Sequence, residues 1–330
     1  MKAIQMHRTG GPEVLDFVDL PTPEPGPGEV LVQAESIGIG MPEILVRTGR
    51  YAWMPPLPAV PGIEMAGRIA AVGAGVTGLQ PGQPVFLTAR ELPVRAGCYA
   101  EYAKAPAEAV YPLPDGVDMD AAACLCNYQV AWHLLHSATN GFRYESVLVW
   151  AAAGGVGSAL VQLAKIAGKQ VIAIASDAGR CAFAQVLGAD ACIDRRRDDI
   201  GVAIAELTDD RGVDLILDPV GGPDFARNVA WLAPLGLLVN YGQLEGDADP
   251  GIGAALRGRF GDSPGLRYFS MHTFDHDRPR RRAAMDALLP LLASGQLRPP
   301  IQARYPLAAV RQAHALFDSG TVLGKLILKP

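Results

Sequence analysis

The stretch from Ser146 to Arg180 constrains this chain more than any other. An apolar run, Ser146-Val147-Leu148-Val149-Trp150, breaks into Ala151-Ala152-Ala153-Gly154-Gly155-Val156-Gly157. Val156, Leu160, Leu163 and Ala167 then fall on one helical face, and Gly168 stops the pattern. A second apolar run, Val171-Ile172-Ala173-Ile174-Ala175, ends at Ser176. The order is strand, glycine turn, helix, strand: a βαβ unit whose turn opens the helix. Glycines let such a backbone approach a pyrophosphate, and the free amides of the helix start point at the anion. The dinucleotide fingerprint is G-x-G-x-x-G, and Ala152-x-Gly154-x-x-Gly157 puts alanine in place of its first glycine. The expected contacts are Gly154, Gly155, Val156 and Gly157. Many glycine turns only pack, but two strand-like runs at the right distance favour the binding turn.

The same stretch raises a membrane reading. Ser146 to Ala164 carries no charged residue and is long enough to cross a bilayer. The glycine cluster splits it where strand becomes helix, so that reading is rejected. A chain of 330 residues is long for one small core and predicts two domains. Apolar residues at 49% and charged residues at 19% fit an ordinary globular protein, and a net charge of −5 argues against nucleic acid as partner. Cys98, Cys124, Cys126, Cys181 and Cys192 form no C-x-x-C pair, which predicts free thiols in a reducing cytoplasm. Met1-Lys2-Ala3-Ile4 does not begin a signal-peptide core.

Residues 1–118 read as β-rich and heavily punctuated by proline and glycine. Glu29 to Ala34 follows the turn Pro25-Gly26-Pro27-Gly28, and short strands are expected within Gly62 to Val72 and Gln83 to Leu87. This suits a compact, partly open barrel. Residues 119–258 begin helical and then alternate strand and helix: a helix capped at Ser176-Asp177, strands at Ala191 to Asp194, Val213 to Leu217 and Leu235 to Tyr241. Such alternation means a doubly wound parallel sheet, covered on both faces. Residues 259–330, with a helix at Arg282 to Ser294 and a last strand at Lys325 to Leu328, are expected to return to the first domain. The cleft between domains would then hold the nicotinamide end of a cofactor.

Further motifs identify a family. Gly10-Gly11-Pro12-Glu13-Val14-Leu15, Pro25-Gly26-Pro27-Gly28-Glu29-Val30-Leu31-Val32, the turn at 151–157, Tyr305-Pro306-Leu307, Ala313-His314 and Gly324-Lys325-Leu326 together resemble the zinc-independent quinone oxidoreductases of the medium-chain dehydrogenase/reductase superfamily. The resemblance covers nearly the whole chain. It implies an α/β protein with a GroES-like domain and a Rossmann domain, NADPH as cofactor, hydride transfer to a quinone or conjugated enone, and a homodimer often formed through the Rossmann sheet edge. Zinc-dependent relatives use an early cysteine and a G-H-E histidine. Here those places hold Gly40 and Gly62-Ile63-Glu64, so no metal is expected. Cys124 and Cys126 then read as buried apolar residues. His272 and His276, flanked by Asp275 and Asp277, stand four apart but in a strand-end and loop context, which favours surface polar residues over a metal site.

NAD enzymes place a carboxylate at the end of the second strand, on the ribose 2′-OH. Here Ala175 and Ser176 stand there, with Arg180 four residues on from Ser176. Ser176 and Arg180 would accept a 2′-phosphate, which favours NADPH. Asp177 complicates this: it caps a helix, or it faces the ribose and favours NADH. Arg195 stands where the family has a tyrosine near the adenine, and either stacks there or belongs to an exposed basic turn. Val220, Gly221, Gly242, Gln243 and Leu244 follow strands and are expected near the nicotinamide, unless they are ordinary turns.

Tyr51 matches a family tyrosine near the substrate and is the candidate hydrogen-bond donor; a packing aromatic is the alternative. Asn127 sits where the family carries a glutamine near the nicotinamide, or is a plain helix polar residue. The family's G-V-N-P-x-D reads Gly38-Ile39-Gly40-Met41-Pro42-Glu43, so an asparagine is lost at Gly40. Trp53, Met54, Met41 and Phe269 line an apolar pocket or belong to the core. Two other functions stay open: an enoyl-thioester reductase, with Arg278, Arg280, Arg281 and Arg282 as a basic patch, and an NADPH-binding protein without turnover.

Overall fold

A computed structural model describes residues 1–247 and 249–330. The chain divides into two compact units, Met1–Cys126 with Met285–Pro330, and Asn127–Ala284. The sequence reading drew these lines at 118 and 259.

The first unit opens with a hairpin of β1 (Lys2–Gln5) and β2 (Asp16–Asp19). Strand β3 (Glu29–Ile39) starts at the expected turn, where Glu29 N–H bonds to Gly26 O at 3.0 Å. A short helix α1 (Met41–Arg47) follows, then β4 (Glu64–Val72), β5 (Pro84–Thr88), β6 (Tyr102–Pro106) and β7 (Val110–Pro112). All pair antiparallel: β3 with both β4 and β6, β4 with β5, and β5 with β7. Two register shifts in the β3–β4 ladder bend β3, and bulges of this kind curve a sheet toward a barrel. Val30, Val32, Ile37, Ile39, Met65, Ile69, Val85 and Leu87 form its buried core. The helix α2 (Met119–Ala122) packs on β3, with Asp118 capping it through the N–H of Asp120.

Helix α3 (Leu125–His136) leads into the second unit. There β8 (Ser146–Val149), α4 (Gly155–Ile166), β9 (Gln170–Ala175), α5 (Ala178–Val186), β10 (Ala191–Asp194), α6 (Ile200–Thr208), β11 (Val213–Asp218) and β12 (Leu232–Asn240) succeed one another. Helix α7 (Ile252–Gly258) and strand β13 (Gly265–Tyr268) complete it. All six strands run parallel in the order β10-β9-β8-β11-β12-β13. This is the 3-2-1-4-5-6 order of the doubly wound dinucleotide fold. Strands β8 and β11 are buried at every position, as central parallel strands covered by helices on both faces must be. Leu148, Ile172, Ile174, Ile193, Ile216 and Leu238 are the heart of its core.

Helix α8 (Arg278–Ala293) carries the chain back. Strand β14 (Ile301–Pro306), helix α9 (Val310–Asp318) and strand β15 (Lys325–Lys329) belong to the first unit. β15 inserts between β14 and β3, pairing Leu326 with Ile39 antiparallel. The buried His314 fastens α9: Arg47 Nη1 lies 3.5 Å from its Nδ1 and the Tyr99 hydroxyl 3.0 Å from its Nε2.

Candidate functional site

The parallel strands end in register along one edge of the second unit's sheet, Val149 opposite Ala173 and Leu217, and Asp218 opposite Asn240. The strand order reverses between β8 and β11, which opens a crevice at their carboxyl ends. The glycine turn lies there. Gly154 is the N-cap of α4 and no side chain caps it. The first amides of α4 also lack a carbonyl one turn back, so they are free for an anion. A Cβ on Gly157 would lie 2.8 Å from Ala152 Cα, so only glycine lets the helix start sit this close to the strand. A Cβ on Gly155 would press on the Asn127 amide, at 3.1 Å from its Cγ. Asn127, from α3, is therefore against the glycine turn. The cradle fits a diphosphate: its amides are donors, and the missing Cβ atoms leave the backbone open.

At the end of β9, Ser176 Oγ accepts from Arg180 Nη1 at 3.0 Å. Asp177 caps α5, its Oδ1 accepting from Arg180 N–H at 2.9 Å, and its Oδ2 also takes the Arg180 guanidinium. The bond from the Arg180 backbone N–H, and then its side chain, hold the Asp177 carboxyl below its ordinary range. Arg180 thus joins Ser176 and Asp177 in one small polar cluster beside the buried Ala175. Arg195 follows β10 directly. Its N–H bonds to Ala175 O at 2.9 Å, and its guanidinium pairs with Glu245 at 3.0 Å.

A correction concerns the thiols. Cys181, next to Arg180, and Cys192, on β10, form a disulfide with Cα atoms 5.2 Å apart, whereas the sequence reading left all five cysteines free. The spacing of eleven residues carried no framework signal, and the pairing follows from α5 packing against its own next strand. Cys98, Cys124 and Cys126 are free.

Two loops meet at the far side of the crevice. Leu244 N–H bonds to Pro219 O at 3.1 Å and Glu245 N–H to Val220 O at 2.9 Å. These bonds join the segment holding Val220 and Gly221 to the one holding Gly242, Gln243 and Leu244. Gln243 Nε2 itself donates to Asp247 at 3.0 Å. Beneath them lies a buried network that sequence reasoning missed. Asp218 accepts from the N–H groups of Val220 and Gly221 and, at 3.0 Å, from Asn228 Nδ2. Asn228 Oδ1 accepts from Trp150 Nε1 at 2.8 Å, and Asn240 Nδ2 donates to Asp218 O. Burial pushes the Asp218 carboxyl upward despite these donors. Its one sequence signal was an acid ending the apolar run Leu215-Ile216-Leu217.

Tyr51 stands in the first unit. Its ring lies 5.7 Å from Trp53 and packs with Met54 against Met6, Val14, Val46 and Ala59. Met41 and Trp53 are exposed there, while Phe269 belongs to the second unit and packs on Phe274 at 6.0 Å.

The places of zinc ligands hold a different chemistry. Lys325 forms a buried ion pair with Glu64, and Glu64 also accepts from Cys126 N–H at 2.9 Å. Glu43 accepts from Ile63 N–H at 2.8 Å and Gly40 N–H at 2.9 Å, and burial, offset in part by Lys325, raises its carboxyl to about 7. Burial also raises the thiols of Cys98, Cys124 and Cys126, which keeps them protonated. Among the described residues no three histidine, cysteine or acidic side chains gather as a metal would need. His272 pairs with Asp275 at 3.3 Å beside a short 3₁₀ turn.

Comparison with known proteins matches residues 26–115 to the alcohol dehydrogenase GroES-like domain and residues 187–328 to the zinc-binding dehydrogenase family. A quinone oxidoreductase from Pseudomonas aeruginosa is 33% identical, over 100% of this chain and 99% of its own. Among solved structures, Escherichia coli quinone oxidoreductase complexed with NADPH superposes with a TM-score of 0.89 at 28% identity, over 100% of both chains. A mycobacterial protein complexed with NADPH reaches 0.87 at 34% identity, also over 100% of both.

Proposed function

The chain belongs to the quinone oxidoreductase family of the medium-chain dehydrogenases/reductases, and from that premise we propose that it passes a hydride from NADPH to a quinone or a conjugated enone without a metal. The observation that carries this reading is the pairing of an uncapped glycine turn with Ser176 and Arg180 at the end of β9, where a buried alanine replaces a carboxylate. NADPH, when bound, supplies the hydride. The first amides of α4 receive its diphosphate. Arg180 releases Asp177 and turns to the 2′-phosphate, with Ser176 as second donor. Arg195 lies beside the adenine. The joined backbone of Val220–Gly221 and Gly242–Leu244 holds the carboxamide, braced from below by Asp218. Asn127, already against Gly155, orients the ring end.

Hydride transfer asks little more of a protein than orientation and a dry site. Tyr51 supplies a hydrogen bond to the acceptor's oxygen in this account. The metal-free part rests on Gly40 and Ile63, which lack ligand atoms in their side chains, and on Lys325 claiming Glu64. We also propose a homodimer built on the outer edge of β13 and residence in the cytoplasm. Among the described residues no helix is long and apolar enough to cross a membrane.

The test is cofactor oxidation, with NADPH and with NADH, against 1,2-naphthoquinone, a simple alkenal and crotonyl-CoA. Rapid loss of NADPH absorbance with the quinone or alkenal, and slower loss with NADH, is expected. Turnover of crotonyl-CoA alone would make it an enoyl-thioester reductase, and tight NADPH binding with no oxidation a non-catalytic binder.

A further inference from the structure

We propose that Cys181 and Cys192 form a reversible redox modification site that tunes the affinity of the adenosine end of the cofactor site. The pair is placed for this. Cys181 directly follows Arg180 in the first turn of α5, and Cys192 lies three residues before Arg195 on β10. One bond therefore ties together the two segments that carry Ser176, Arg180 and Arg195. The Cα separation of 5.2 Å lies within the span a disulfide needs. Strand β10 is the outer strand of its sheet, and Cys192 is partly exposed, so a small oxidant can reach it. The other cysteines, Cys98, Cys124 and Cys126, lie in the first unit with thiols that burial keeps protonated, which makes the modification selective.

The chemistry balances with hydrogen peroxide as oxidant. The Cys192 sulfur attacks a peroxide oxygen, the O–O bond breaks, and a sulfenic acid and one water form. The Cys181 sulfur then attacks the sulfenic sulfur and expels a second water as the S–S bond closes. Two thiols lose two electrons and two protons, and the peroxide gains both. A dithiol reverses the step.

The inference rests on the proposed seat of the 2′-phosphate at Ser176 and Arg180. The closed bond holds that seat and the Arg195 turn at one spacing before the cofactor arrives. Less ordering then remains to be done on binding, so the oxidised protein binds NADPH more tightly, by about two- to tenfold. Linkage makes this reciprocal: bound NADPH favours the closed pair by the same factor.

The test titrates NADPH and NADH into the full-length protein after dithiothreitol, and again after peroxide. Alkylation after unfolding counts the thiols in each sample. Five reactive thiols are expected in the reduced form and three in the oxidised one. NADPH affinity should rise on oxidation, NADH affinity should change less, and the Cys181→Ser/Cys192→Ser protein should show the reduced-form affinity in both treatments. Five reactive thiols after peroxide, or equal NADPH affinities with the bond shown closed, would overturn the inference. Arg180→Ala separates the two layers, with an expected loss of NADPH affinity of roughly tenfold or more. If that variant binds NADPH normally, the cofactor seat itself is wrong and the inference falls with it. If it loses affinity while the redox states bind alike, only the inference falls.

Discussion

Two buried residues of the first unit give stability opposite dependences on pH. Burial raises Glu43 from 4.5 to about 7, so the folded protein keeps a proton that the unfolded chain releases. Its contribution is full below about 4.5 and is lost as pH rises through about 7. Burial, helped by Arg47, lowers His314 from 6.5 to about 3, so its contribution is present above about 6.5 and is lost as pH falls toward 3. Between about 4.5 and 6.5 the two slopes oppose each other. In urea unfolding across this window, the parent protein should show a nearly flat midpoint. Glu43→Gln should become less stable as pH falls, and His314→Gln more stable. Parallel curves for all three proteins would sink the argument. At this scale the sequence told chemical type better than partner. Arg180 and Ser176 could be paired by their spacing along a helix start. That Asp177 caps α5 while also holding Arg180 depends on the turn's geometry. The Cys181–Cys192 bond and the Lys325–Glu64 pair, 261 residues apart, depend on which elements pack together.

Among elements, the turn from β8 into α4 is the least tolerant of change. A valine at Gly157 would push its Cβ into the backbone of Ala151 and Ala152, which cannot yield without moving the helix start. Gly157→Val should abolish NADPH binding and cost a few kcal/mol of stability, typical of overpacking in a close-packed interior. Gly155→Ala meets only the Asn127 side chain, which can rotate, so binding should weaken while the fold is kept. Fluorescence titration with NADPH, read beside thermal unfolding, distinguishes the two; equal effects would count against this geometry. The strands β8 to β12 were legible because buried parallel strands are mostly apolar runs. Strand β13 was not legible: Gly265–Tyr268 is a half-buried edge strand with no alternation. Helix α7 escaped for a similar reason, since it has no fully buried residue to mark a face.

On the scale of the whole molecule, β13 is the edge strand of the parallel sheet opposite β10, and Tyr268 on it is 60% exposed. Phe269 N–H points inward, to Asn240 O at 2.8 Å, so by alternation the N–H of Tyr268 points outward. Tyr268→Pro should therefore spare the ladder to β12 and block pairing with a second copy. Light scattering should give twice the 34.8 kDa chain mass for the parent and the single mass for the variant. A monomeric parent would refute the proposed dimer. A last strand at Lys325 to Leu328 was expected from the sequence, and β15 (Lys325–Lys329) lies there. Where that strand would dock is a matter of long-range pairing, and it seats itself between β14 and β3. This threading has a consequence for biosynthesis. Asn127–Ala284 is an uninterrupted segment and can acquire its shape while still tethered to the ribosome. The barrel-like unit, although translated earlier, must wait with the Ile37–Ile39 end of β3 unpaired on one side until residues near 326 emerge, which exposes a strand edge that a chaperone could shield.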